Sequence, residues 1–161
     1  MLINLVGPIA SGKSSFAKWF LEKHPQTLHL DIAYFREIYD TDKCAWKMIE
    51  EVAALTNNCL IESTGLHYRI QNLWTPRVVK RGIYTIKFMS NRSLLNERIK
   101  KRSKDNLVRL NDEMLENEIF SDIYNELPAN LNVWMADNSI YQTIEKYILN
   151  AKRRIERRTR K

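Results

Sequence analysis

The chain has 161 residues, 44% of them hydrophobic, with a formal net charge of +7 and only two cysteines. That apolar content suffices for one core of ordinary domain size and excludes wholesale disorder. No apolar run approaches the length of a membrane span, and Cys44 and Cys59 support neither a disulfide scaffold nor a cysteine-based zinc site. His24, His29 and His67 have no metal-ligand spacing. The first residues have no basic region and no cleavage site, so a reducing cytoplasm is the expected compartment.

Leu2 to Val6 is a short apolar run that meets Gly7, and it predicts a buried opening strand. Residues 7 to 14 read Gly-Pro-Ile-Ala-Ser-Gly-Lys-Ser, a full match to G-x-x-x-x-G-K-[ST]. Phe16, Trp19 and Phe20 then repeat at helical spacing until Pro25. Thr27 to Asp31 predicts a second strand ending in an acid. Helical patterns follow over 34–39 and 44–55. Cys59 to Glu62 predicts a third strand, again ending in an acid. Residues 67–80 suggest a helix broken near Pro76. Ile83 to Met89 predicts a fourth strand and 94–102 a helix. Residues 104–111 read as a loop, followed by an acidic helix to about Glu126. Leu131 to Met135 predicts a fifth strand. Ser139 is placed as the cap of a last helix with Ile140, Ile144, Ile148 and Ile155 along one side. Strands alternating with helices imply a parallel sheet in one domain spanning 1–161.

The charge is uneven. Residues 152–161 hold seven basic residues against one glutamate, and residues 77–110 hold eleven against two acids. Residues 111–126 hold six acids and no base. Either basic zone could face a polyanion or be a solvated surface. Arg154, Arg157, Arg158 and Lys161 would share one face if the last helix persists. Trp46, Trp74 and Trp134 are assigned to the core by periodicity rather than to base stacking.

The 7–14 segment carries its own chemistry. Glycines let the backbone wrap a phosphate with its N–H groups inward, and the following helix adds its positive end. Lys13 would reach the β- and γ-phosphates, and the Ser14 hydroxyl would hold Mg²⁺.

With this motif the chain resembles the small P-loop kinases, and within them the polynucleotide-kinase-like and zeta-toxin-like group. The resemblance implies a five-stranded parallel sheet in the order 2-3-1-4-5, flanked by helices, with a basic lid over about 98–126. It implies ATP contacts from Gly7, Ala10, Ser11, Gly12, Lys13, Ser14, Ser15, Arg98 and Arg102. It implies that Asp31, at a strand's carboxyl end, accepts the proton of the attacking hydroxyl. Lys13 and Arg102 would act with it on the transferring phosphoryl group. Arg36 would anchor a substrate phosphate. Glu62, in Glu62-Ser63-Thr64-Gly65-Leu66, would hold Mg²⁺ through water. Thr64, Arg69 and Arg109 would complete the acceptor site.

The function so implied is ATP- and Mg²⁺-dependent transfer of a γ-phosphate to a hydroxyl of a nucleic-acid strand, nucleoside or nucleotide. A 5′-hydroxyl or a hydroxyl on a modified DNA base are the acceptors in view. The alternatives are a nucleoside monophosphate kinase, a small-metabolite kinase, and a nucleic-acid-binding module switched by nucleotide. No membrane partner is expected.

Overall fold

The computed structural model describes residues 1–56, 58–66, 82–102, 106–134 and 138–159. Strands β1 (Leu2–Val6), β2 (Leu28–Asp31), β3 (Cys59–Glu62), β4 (Ile83–Met89) and β5 (Leu131–Trp134) form one sheet. Its order is β2-β3-β1-β4-β5 and every pairing is parallel. The order the resemblance implied is therefore the one observed.

Alternation along the strands divides the core between two faces. Ile3, Leu5, Leu60, Ile86, Phe88 and Val133 meet helices α1 (Lys13–Lys23) and α7 (Tyr141–Thr159) through Phe16, Phe20, Tyr141, Ile144 and Ile148. Leu2, Leu30, Cys59 and Ile61 face the other way, onto α2 (Ile32–Ile38) and α3 (Asp42–Leu55) through Ile32, Ala45, Trp46 and Ile49. Val6 turns to the same second face and meets Tyr124 and Leu127. Helices α4 (Arg92–Arg102), α5 (Leu107–Ile119) and α6 (Ser121–Glu126) follow β4.

Because β1 is central, the chain leaving it passes between β3 and β4. That is the point where the crossovers diverge and where open α/β sheets bind ligands at their carboxyl edge. The amino edge lies opposite. There Leu2 N–H donates to Gly82 O at 2.9 Å, and Ile155 of α7 packs on Gly82.

Several expectations are corrected. The loop placed at 104–111 is helical from Leu107, because the Asn106 side chain caps α5 by accepting from Arg109 N–H at 2.9 Å. The acidic helix that follows is two helices divided at Phe120. Ser139 lies inside a 3₁₀ turn (Asn138–Ile140) ahead of α7. Trp46 is core at 1% exposure, but Trp134 is 65% exposed, because it closes an edge strand whose inward residue is Val133. Arg69, His67, Trp74 and Lys161, with the 67–80 helix, lie outside the described residues.

Candidate active site at the carboxyl edge

The loop after β1 takes its shape from three residues in left-handed conformation: Gly7 (φ 141°), Ala10 (φ 63°) and Gly12 (φ 100°). At Gly7 a side chain is excluded, since a Cβ there would sit 2.3 Å from Phe88 O of the neighbouring strand. Gly12 is the N-cap of α1, so the free N–H groups and positive end of that helix open onto the loop. A pocket of about 360 Å³ lies at this helix end, lined by Ala10 to Ser15, Arg98, Arg102 and Tyr141. It brings together most of the residues expected to contact ATP.

Lys13, expected to reach the β- and γ-phosphates, is folded into the loop itself. The side chain is buried at 7% exposure, with Nζ donating to Gly7 O at 2.9 Å and Pro8 O at 2.8 Å. The physical reason is that an ammonium in a phosphate-shaped loop satisfies its donors with the loop's own carbonyls. Burial, with Arg102 nearby, lowers its pKa to about 8 against the opposing pull of Glu62, Asp31 and Glu116.

The two acids predicted at strand ends are register partners. Asp31 of β2 stands opposite Glu62 of β3, on neighbouring strands that run about 4.8 Å apart in a parallel pair. Glu62 is 5% exposed and accepts from the Ser14 hydroxyl through Oε1, while its Oε2 lies 3.3 Å from His29 Nε2. Asp31 also caps α2, accepting from Ala33 N–H at 3.0 Å.

The pair is electrostatically divided. Burial raises the Asp31 carboxyl, and Glu62 raises it further, beyond what the Ala33 bond, His29 and Lys13 offset. Burial alone would raise Glu62 too, but bonds from His29 and Ser14, with Lys13 beside it, hold it below the ordinary carboxylate value. Two carboxyls in one site thus differ in the direction of their shifts, the pattern that separates a proton acceptor from a permanent anion. The donor set of Ser14 hydroxyl and ionised Glu62 is hard oxygen, which suits Mg²⁺.

The arginines expected in a lid have partners at or near this loop. Arg98 Nη1 donates to Ala10 O at 3.3 Å. Arg102 holds Glu113 of α5 through Nε at 3.1 Å and Nη2 at 2.6 Å, and Arg109 Nε joins the same carboxylate at 2.9 Å. Arg36 pairs with Asp42 at the surface, so its Nε is turned to a neighbouring helix rather than to the loop. Thr64 contributes its carbonyl, which accepts from Gly7 N–H at 3.2 Å.

Four residues of the site were not singled out from sequence. His29 is two positions before Asp31 and so shares its side of β2, a signal that strand alternation carried. Asn117 clasps the loop in both directions: Ile9 N–H donates to its Oδ1 at 2.9 Å and its Nδ2 donates to Ile9 O at 3.0 Å. Glu113 and Glu116 share a helix face with Asn117 at i, i+3 and i+4. Arg36 and Lys13 act on Glu116, but burial dominates and raises its carboxyl.

No family model matches the chain, and no curated protein sequence matches it. Solved structures do. The chain is similar to a shikimate kinase from Acinetobacter baumannii in complex with shikimate, at 16% identity over 94% of each chain, with a TM-score of 0.61. It is similar to a shikimate kinase from Bacteroides thetaiotaomicron at 17% identity, over 92% of this chain and 98% of that one, with a TM-score of 0.62. What the chain shares with them is the five-stranded parallel P-loop kinase fold.

Proposed function

We propose that the chain is an ATP- and Mg²⁺-dependent phosphotransferase that moves the γ-phosphoryl group onto a hydroxyl of a small acceptor. The observation that carries this reading is the Asp31–Glu62 pair, in register beside Lys13 and Ser14, with its two carboxyls shifted in opposite directions. Asp31, the stronger base of the pair, orients the acceptor hydroxyl and takes its proton as the P–O bond forms. Lys13 and Arg102 stabilise charge on the phosphoryl oxygens, and the N–H groups at the start of α1 cradle the chain of phosphates. Ser14 and Glu62 would hold Mg²⁺, which supplies charge neutralisation between the phosphates. The proton ends on Asp31, and ADP leaves with the electron pair of the broken bond.

A phosphate acceptor fits less well. It needs no base and calls for cations, whereas Asp31, Glu62 and Glu116 stand around Lys13 and Arg36 is engaged by Asp42. A strand's hydroxyl is the second reading, favoured by the 65% exposed Trp134 at the carboxyl end of β5, a surface on which a base can stack.

The test is an acceptor screen with γ-labelled ATP against small polyols, nucleosides, nucleoside monophosphates, 5′-hydroxyl oligonucleotides and DNA with hydroxymethylated bases. Label is expected on a hydroxyl compound. Label on a monophosphate, or none on any acceptor, overturns the reading. Inhibition of transfer by long single-stranded DNA would select the strand over the small molecule.

A further inference from the structure

Glu113 has no place in the phosphate-transfer scheme above, yet it holds two of the lid arginines. Its side chain is 12% exposed, against 43% for Arg102 and 62% for Arg109. Oε1 accepts from Arg102 Nη2 at 2.6 Å and from Arg109 Nε at 2.9 Å, and Oε2 accepts from Arg102 Nε at 3.1 Å. Arg102 is thus gripped along its Nε–Nη2 edge by two parallel bonds, the geometry that fixes a guanidinium plane. The same side chain lines the pocket at the start of α1. A guanidinium has five N–H donors, and this grip uses two of them. Glu113 is itself held in place, because α5 is pinned to the phosphate loop one turn later by the two bonds between Asn117 and Ile9.

We infer that Glu113 is a positioning residue that aims the free donors of Arg102 at the phosphates of bound nucleotide. The inference rests on the kinase reading above. A long arginine at a helix end loses rotamer entropy when it meets a phosphate, and a partner that orders it beforehand removes that cost from the transition state. The carboxylate also sets a trade. It lowers the positive potential felt by ATP while improving the aim, so its removal has opposite consequences for binding and for turnover. A residue that merely stabilised the lid would weaken both.

The test is Glu113→Gln, read by direct titration of Mg-ATP and by the rate of γ-phosphate transfer to the acceptor found in the screen. The expected result is ATP affinity unchanged or tighter, with kcat lower by ~10–100-fold. On an Arg102→Lys background, whose ammonium cannot make the two-bond grip, Glu113→Gln is expected to add little further loss. An unchanged kcat, an equal loss on both backgrounds, or weakened ATP affinity together with lowered melting temperature overturns the assignment. If Glu113→Gln fails to fold by circular dichroism, Glu113→Asp, which keeps the charge and withdraws it by one methylene, is judged by the same criteria. A wild-type chain that neither binds ATP nor labels any acceptor instead defeats the kinase reading itself, and it does so before any variant is made.

Discussion

The chain concentrates positive charge twice, and the structure treats the two regions differently. At the carboxyl edge, Arg98 reaches the loop carbonyl of Ala10, while Arg102 and Arg109 share Glu113 beside the pocket of about 360 Å³. At the other end of the molecule, Arg153, Arg154, Arg157 and Arg158 stand exposed on the last turns of α7. That helix begins at Tyr141, in the wall of the pocket, and runs away from it: Ile155 lies against Gly82 at the amino edge. The thirteen residue steps from Tyr141 to Arg154 span roughly 20 Å. Two stretches of similar composition therefore differ in what they can do. On the kinase reading proposed above, the first can touch a phosphoryl group in transfer, while the second can meet only a partner that extends to the far side of the sheet.

The largest effect that tests this contrast is at the carboxyl edge. Asp31→Asn keeps size and removes the proton acceptor, so kcat on a hydroxyl acceptor is expected to fall by ~10²–10⁴-fold with ATP binding retained. A loss of only a few-fold in steady-state assays would remove Asp31 from the role of base. Lys13→Met comes next, with an expected loss of ~10²-fold or more in transfer and a retained far-ultraviolet circular dichroism spectrum.

The pH dependence of ATP binding is a gentler probe of the same residue. Lys13 has a pKa of about 8 in the ligand-free chain, and nucleotide phosphates favour its charged form. Above that pH the free chain has released a proton that the complex must take back. Calorimetric titration should therefore show affinity falling by up to about tenfold per pH unit above pH 8, with proton uptake, and Lys13→Met should abolish the dependence. A flat profile would show that the ammonium stays charged in the free loop.

At the amino edge smaller effects are expected, and of another kind. Gly82→Ala puts a Cβ 2.6 Å from Ile155 Cδ1 at a φ of +77°. It should lower stability by about 1–2 kcal/mol in denaturant titration while kcat at saturating substrate stays unchanged. Replacing Arg154, Arg157 and Arg158 together with Gln should be the quietest change, silent in turnover with a small acceptor. A raised KM for an oligonucleotide acceptor, with a shallower salt slope, would show instead that a strand reaches from one edge to the other.

The sequence made the carboxyl edge legible wherever chemistry was local. The run from Gly7 to Ser14 names its own shape, and strands ending in Asp31 and Glu62 announce acids at one edge once the β-α alternation makes the sheet parallel. Other features depend on contacts between distant residues. Asn117 is 108 residues from the Ile9 it clasps, and nothing near it in sequence marks the partner. Glu113 reads as one acid among six in an acidic stretch until α5 is laid against α4. Trp134 was misplaced because strand alternation gives two faces without saying that one face of an edge strand meets water. The start of α5 was missed because Asn106 reads equally as a loop residue and as a cap.

The clasp between Asn117 and Ile9 makes a peptide-like pair out of a side chain, with one bond donated and one accepted as between neighbouring strands. Any outward swing of the α5 segment around Asn117 must break both bonds and leave the backbone of Ile9 to water. At a net ~0.5–1.5 kcal/mol for each bond, the open form would hold roughly one molecule in six to one in a hundred and sixty. Exchange of the Ile9 amide with deuterium would then report on α5, so that one backbone proton in the loop after β1 times the breathing of a helix more than a hundred residues away along the chain.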